Sequence, residues 1–352
     1  MNRDRAEPVK LGLIGCGWVA ENIHLPALRH GADAHVVAAA ETDPDRLNRV
    51  ARRFHINDRY THFLDLLANP AIEAVAICVP AQFHVDVALA ALDAGKHLLI
   101  EKPLALSVEE SDRLIERAAR FPKLKIMVGF NMRWHRLVRQ ARGMILAGAL
   151  GPLEMIRSVL TSYRANVPHW RQRRETGGGV FFEMAVHHFD LWRFLVQSEI
   201  EEVFASSRSA EWDDEIGAVT ARMANGLLGT AVFSEHTSSD NEVDIYGRAG
   251  RLRVSCYRFD GLEFNSNATA SGDIGSRLRR LLHGLKTLPQ GLANARRGGE
   301  FMASYRAEWR HFTDCIRQDR PTQCTLEDGR RALQAALAAA QSASAGKPVK
   351  VC

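Results

Sequence analysis

The 352-residue chain lacks most features that would assign it to a special environment. Its six cysteines, Cys16, Cys78, Cys256, Cys315, Cys324 and Cys352, form no Cys-x-x-Cys pair, and none stands with histidines at zinc-ligand spacing. A disulfide framework and a structural metal site are therefore excluded as expectations. No apolar run reaches the ~20 residues of a membrane span. The stretch from Met1 to Lys10 is charged and has no apolar core of a secretory signal. Scattered thiols without an export signal lead to the expectation of a cytoplasmic protein with reduced cysteines and no membrane partner. Charge of one sign is also scarce. Lys and Arg number 46 and Asp and Glu 41, so the excess of +5 is too thin to predict a nucleic-acid partner. No repeat at solenoid periods is visible.

What is present is globular: 46% hydrophobic and 25% charged residues. The length exceeds what one core usually holds, so two domains are expected. The first third alternates short apolar runs with helical patterns. The runs are 9–14, 36–40, 74–79, 97–100 and 126–130. Asp43-Pro44 is a helix start, with an N-cap followed by proline at the first helical position. Ser107-x-x-Glu110 is a capping box. Apolar strands separated by helices predict a doubly wound parallel sheet of Rossmann type over residues 1–130. From about residue 151 strands follow one another over short turns, and Asn225-Gly226 reads as a type I′ hairpin turn. Residues 131–352 are thus expected to form an α+β domain with a mostly antiparallel sheet. A helix over 180–196 interrupts it, and helices over 305–317 and 326–345 end the chain. The last is expected to pack back on the first domain.

The first apolar run enters Gly15-Cys16-Gly17-Trp18-Val19-Ala20, a G-x-G-x-x-A fingerprint between a strand and a helix. Gly15 allows the tight turn, Gly17 lets backbone approach a pyrophosphate, and Ala20 lets helix and strand lie close. The helix N-terminus, with Trp18 and Val19, offers free N–H groups to the phosphates. Glu41 follows the second strand, where a carboxylate accepts from both ribose hydroxyls and repels a 2′-phosphate. NAD is therefore favoured over NADP, although Arg46 is close enough to serve a 2′-phosphate.

Three further stretches make the chain resemble the Gfo/Idh/MocA oxidoreductases, which include glucose–fructose oxidoreductase and inositol dehydrogenase. They are the run from Ala94 through Glu101-Lys102-Pro103 to Ala105, the glycine run Gly177-Gly178-Gly179 leading to Glu183-x-x-x-His187, and the ending from Tyr305-x-x-Glu308 to Val351. The resemblance implies an oxidoreductase acting on a sugar-like substrate, and the exposed face expected on an antiparallel sheet points to a homo-oligomer, a dimer or tetramer. The resemblance also implies that Pro80, His84, Glu101 and Lys102 meet the cofactor, and that Lys102, Glu183 and His187 line the substrate pocket with His187 as acid/base. Chemistry agrees. Hydride loss from a carbinol needs a proton acceptor and a group to stabilise the developing oxyanion. His187 and Lys102 suit those tasks, and Glu183 shares a helix face with His187. Where the family usually has Asp, this chain has Glu183, whose extra methylene displaces the carboxylate by more than ~1 Å. Further substrate candidates are Asn131, Arg133, Arg164 and Trp170, with His169 and Arg171 beside the last. His188 is read as structural.

Residues 271–299 depart from the family pattern. Arg277, Arg279, Arg280, Lys286, Arg296 and Arg297 interleave with leucines at amphipathic-helix spacing. A solvated or packing face is the expectation, with a lid over an anionic substrate or a membrane-surface helix as alternatives. Three functions stay open: a dehydrogenase with net NAD turnover, a redox-neutral glycosidase or lyase using bound NAD transiently, and a non-enzymatic NAD/sugar-binding regulator.

Overall fold

The computed structural model describes residues 7–31, 34–164, 166–268 and 298–351, with 282, 285 and 289 described singly. The predicted basic helix therefore lies almost wholly outside the described residues. By internal contacts the chain divides into two units, one of 1–130 with 305–330 and one of 131–304 with 331–352. The chain thus returns to the first unit after the second has begun, where the sequence pattern marks one boundary at 130.

The first unit holds a six-stranded sheet of β1 (Val9–Ile14), β2 (Ala34–Ala40), β3 (Asp58–Tyr60), β4 (Ala74–Ile77), β5 (His97–Ile100) and β6 (Ile126–Val128). All five pairings are parallel and the order is β3-β2-β1-β4-β5-β6. This is the Rossmann order, with its switch point between β1 and β4. The central strands are buried along their length except at Lys10, as a sheet covered on both faces requires. α1 (Leu25–Gly31) follows a π-helical turn at Ala20–His24. α2 (Pro44–Phe54) is capped by Asp43, whose carboxylate accepts from Asp45 N and Arg46 N. α3 (Phe63–Leu67), α4 (His84–Asp93) and α5 (Val108–Ala118) complete the wound part. Ser107 caps α5 through Glu110 N at 3.1 Å, and Glu110 reaches back to Leu106 N at 2.9 Å.

The second unit is built on β7 (Leu153–Tyr163), β8 (Ile200–Arg208), β9 (Ile216–Met223), β10 (Leu228–Ser234), β11 (His236–Gly247), β12 (Gly250–Ser255), β13 (Leu262–Ser266) and β14 (Val349–Lys350). The order is β13-β12-β11-β7-β10-β9-β8-β14, antiparallel except for β7 against β10. α6 (Arg136–Leu146) and α7 (Val186–Val196) precede most of these strands. α7 packs on one face, where Gly229 admits Trp192: a Cβ at 229 would lie 2.5 Å from the indole. Trp192 Nε1 donates to Ser158 Oγ at 2.7 Å, which satisfies the one polar atom of a fully buried ring. The opposite face exposes Met155, Phe204, Leu228 and Val232. α8 (Gly299–Arg317) and α9 (Leu326–Ala345) end the chain before β14. No helix among the described residues is long and apolar enough to cross a membrane. Cys16, Cys78, Cys256, Cys315 and Cys324 form no disulfide.

The hairpin between β9 and β10 corrects the expected turn type. Gly226 alone is left-handed, at φ +84°, and Asn225 is not. Gly226 N donates to Met223 O at 2.8 Å, so Ala224 and Asn225 are the central residues of the turn. A three-residue loop of this kind ends in a left-handed glycine, whereas type I′ needs two left-handed residues.

Candidate functional site

The fingerprint turn is built against the switch point of the first sheet. Gly15 has φ +91°, and a Cβ there would lie 2.6 Å from Cys78 O, just past β4. Only glycine serves both the conformation and the approach. A Cβ at Gly17 would meet nothing within 4 Å. The turn therefore leaves open space beside the first N–H groups of the following helix, which have no intrahelical acceptor. Trp18 is 70% exposed, and Ala20 is buried against the sheet. Glu41 joins the turn directly. Its Oε2 accepts from Cys16 N at 2.9 Å, and its Oε1 from Asp43 N and Thr42 Oγ1 at 3.2 Å each. Arg46 Nη1 lies 3.4 Å from Glu41 Oε2 and Arg46 Nη2 3.4 Å from Asp43. Arg46 is thus drawn onto carboxylates, and a fixed anion stands where a 2′-phosphate would come. Burial, aided by Glu41, pushes the Cys16 thiol up to about 12, so it stays protonated. These features fit a dinucleotide with free ribose hydroxyls.

Past β5, Glu101 turns inward. Its Oε1 is 2.7 Å from His24 Nε2, and its Oε2 accepts from Lys102 N at 3.0 Å. Trp309 Nε1, which can only donate, faces His24 Nδ1 at 3.1 Å. His24 therefore carries its hydrogen on Nε2 and donates it to Glu101. Burial raises the Glu101 pKa, but the bond from His24 and the nearby positive charge outweigh it and hold the carboxyl below its ordinary value. Glu308 lies close by, fully buried, with no hydrogen-bond partner on either oxygen. Burial and the Glu101 charge push its pKa well up, so it is the protonated member of the two. His84, at the start of α4, is buried with Nδ1 2.7 Å from Pro103 O and Nε2 2.9 Å from Val79 O. Burial pushes its pKa down, against the two carbonyls. His84 thus ties the segment after Lys102 to the segment before Pro80. Lys102 and Pro80 are both half-buried.

In the second unit the glycine run opens into another π-helical turn, Phe181–Ala185, which continues as α7. From Val180 to Trp192 every residue is buried except Glu183 and His187. The acid and the base are the half-buried positions of this otherwise buried stretch. Nδ1 of His187 is buried. His188, on the adjacent face, is fully buried, and burial pushes its pKa down to about 3. The glycines also seat a neighbour. A Cβ at Gly178 would lie 2.1 Å from Arg171 O, so glycine lets the segment before the run lie against the turn. That seating places Arg171 Nη2 2.7 Å from Glu183 Oε2 and 2.9 Å from Glu235 Oε1. Arg164 Nε approaches the same Glu235 oxygen at 3.2 Å.

Glu183, His187 and Arg164 are thus assembled in one unit, and Trp170 stands half-buried beside Arg171 with its carbonyl accepting from Thr176. Asn131 and Arg133 are placed otherwise. Asn131 Nδ2 donates to Ser304 Oγ at 2.9 Å, and Arg133 forms a buried two-bond pair with Asp190 at 2.7 and 2.5 Å. Sequence reasoning did not single out His24 or Glu235. Neither lies in a motif, and their partners are 77 and 64 residues away in the chain.

Residues 9–130 match the family model described as "Oxidoreductase family, NAD-binding Rossmann fold". Residues 138–253 match "GFO/IDH/MocA C-terminal domain". The chain is 27% identical to a myo-inositol 2-dehydrogenase of Thermotoga maritima over 97% of this chain and 98% of the relative. It is 31% identical to an inositol 2-dehydrogenase of Rhizobium meliloti strain 1021 over 70% and 72%. A solved levoglucosan dehydrogenase, in complex with NADH and levoglucosan, superposes with a TM-score of 0.82 at 23% identity over 98% and 99% of the two chains.

Proposed function

The chain belongs to the GFO/IDH/MocA family of NAD-dependent oxidoreductases, and from that premise we propose that it moves a hydride between NAD and a secondary hydroxyl of a cyclic polyol or sugar derivative. The observation that carries this reading is that, from Val180 to Trp192, Glu183 in the π-helical turn and His187 in α7 are the two residues left half-buried in an otherwise buried stretch. The names of the relatives, inositol and levoglucosan dehydrogenases, support a ring bearing several hydroxyls.

Gly15, Gly17, Trp18, Val19 and Ala20 would hold the pyrophosphate and Glu41 would accept from the ribose hydroxyls, with Pro80 and Lys102 serving the nicotinamide half. When bound, NAD supplies the hydride acceptor. His187 Nε2 takes the hydroxyl proton as the carbon–hydrogen bond gives up its electron pair. The Lys102 ammonium orients the hydroxyl and stabilises its developing negative charge. Glu183, fixed by Arg171, accepts from a neighbouring ring hydroxyl. Glu101 and His84 act through Lys102 as positioning residues, since their polar atoms are engaged with its backbone N–H and with Pro103 O. Asn131 and Arg133 support the fold around the site. The exposed apolar face of the second sheet is the surface for self-association in a homo-oligomer, which light scattering on a size-exclusion column tests.

Absorbance at 340 nm with NAD and a panel of cyclitols and sugars tests the reaction. Growth of NADH with one member, lost by at least about 100-fold in Lys102→Ala, is the expected result. Silence across the panel with NAD still bound overturns it.

A further inference from the structure

We infer that the substrate carries a carboxylate, and that Arg164 with Arg171 is the site that binds it; this rests on the reading of the second unit as the substrate site. Two guanidinium groups converge on one oxygen of one acid. Arg171 Nη2 and Arg164 Nε lie 2.9 and 3.2 Å from Glu235 Oε1, and Glu235 is 0% exposed. Arg171 spends the same Nη2 on Glu183 at 2.7 Å. Arg164 uses only its Nε, toward Glu235 and toward Ser162 Oγ at 3.4 Å. Among the described residues its two terminal nitrogens, and Nη1 of Arg171, meet no acceptor.

This arrangement is unlike a surface arginine. The Arg164 side chain is 37% exposed, and burial together with the Arg171 charge lowers its pKa. A guanidinium packed beside another one is held there at a free-energy cost. It is placed with its fork open and next to the acid that shares a helix face with His187. A planar fork of two N–H pairs matches a carboxylate by two parallel bonds. Two positive groups are balanced by Glu183 and Glu235, so a monoanion disturbs the local balance less than a phosphate dianion does. A substrate anchored at Arg164 by its carboxylate presents ring hydroxyls to Glu183 and His187. The chemical class is therefore a sugar acid or a carboxylated cyclic polyol, and a neutral polyol leaves the fork without an acceptor.

The test is calorimetric titration of the NADH-loaded protein with matched pairs: glucuronate and glucose, galacturonate and galactose, quinate and myo-inositol, with glucose 6-phosphate added. We expect one acid to bind at least about 10-fold more tightly than its neutral partner and than the phosphate. In Arg164→Gln that acid loses roughly 10- to 100-fold in affinity while the neutral partner is unchanged. Arg164→Lys, which keeps the charge but not the fork, recovers only part of the loss. Unchanged circular dichroism and NADH affinity in both variants show that the fold is intact. Neutral members or the phosphate binding as well as the acids, or no acid binding at all, overturns the inference. The same pairs run with NAD separate this from the reaction. NADH formed only with neutral rings overturns the carboxylate site and keeps the dehydrogenase. Arg164-dependent acid binding without NADH from any acid or neutral ring supports the site and sinks the dehydrogenase.

Discussion

Two glycine runs lead into the functional helices of this protein, and both helices begin with a π-helical turn. Gly15-Cys16-Gly17 precedes Ala20–His24, and Gly177-Gly178-Gly179 precedes Phe181–Ala185. In each, a left-handed glycine presses on a carbonyl of a neighbouring segment, Gly15 on Cys78 O and Gly179 on Asp213 O. The two turns are used in opposite ways. The first points His24 inward, where it holds Glu101, and leaves backbone and open space outside at Gly17. The second buries its apolar residues and leaves Glu183, with His187 four residues on in α7, half-buried. π-Helical turns are rare and recur at functional sites because the extra residue re-aims side chains against the helix that follows. On the function proposed above, one turn supplies a backbone cradle with internal bracing, and the other supplies side chains for chemistry.

The largest expected effects separate inward from outward histidines. His187→Ala lowers kcat by about 10²–10⁴-fold and leaves the melting temperature within a degree or two. His24→Ala does the reverse. It leaves a buried carboxylate with only the Lys102 N–H, at a cost of about 3–5 kcal/mol in stability. Melting curves and turnover measured on both variants would break the comparison if His24→Ala kept full stability, or if His187→Ala lost activity only by unfolding.

A smaller effect concerns His188, which shares the second helix but faces inward. Its folded pKa is pushed down to about 3 from an ordinary 6.5. Below pH 6.5 the unfolded chain therefore binds a proton that the folded chain refuses. The contribution is present in full above 6.5 and is lost as pH falls, by about 1.4 kcal/mol per pH unit at most. Chemical denaturation at pH 7 and pH 5 should show a steeper loss in wild type than in His188→Gln. Equal slopes would mean that the ring is not kept neutral by burial.

The smallest effect sharpens the first turn. Gly17→Val places a side chain in open space, so the melting temperature should hold while the NAD dissociation constant rises by about 10-fold or more, a change of at least ~1.4 kcal/mol. A variant that binds NAD as wild type does would show that the open space at Gly17 is not the pyrophosphate path.

Much of this was legible in the chain. Five of the six strands of the first sheet, the Asp43 and Ser107 caps and the helix over 180–196 all follow from local rules, because capping and apolar periodicity act within a few residues. β3, β13 and β14 were not anticipated, since two to five residues with mixed burial carry no period-2 signal. The hairpin at Asn225-Gly226 was placed but given the wrong type, because one dipeptide serves both loop lengths. The return to the first unit is made by 305–330, with 331–352 in the second, whereas the sequence reading assigns that return to the last helix, over 326–345.

The sequence by itself determined the family, the cofactor class and the positions of Glu183 and His187 on one helix face, because each depends on motifs whose geometry is set by neighbours in the chain. Only the tertiary structure decided what those residues meet. Glu101 meets His24, Arg171 joins Glu183 to Glu235, and Arg164 is left with an open fork. These pairings join residues up to 77 positions apart. They form because folding brings charged groups out of water together, and each must then find its partner wherever packing has placed one.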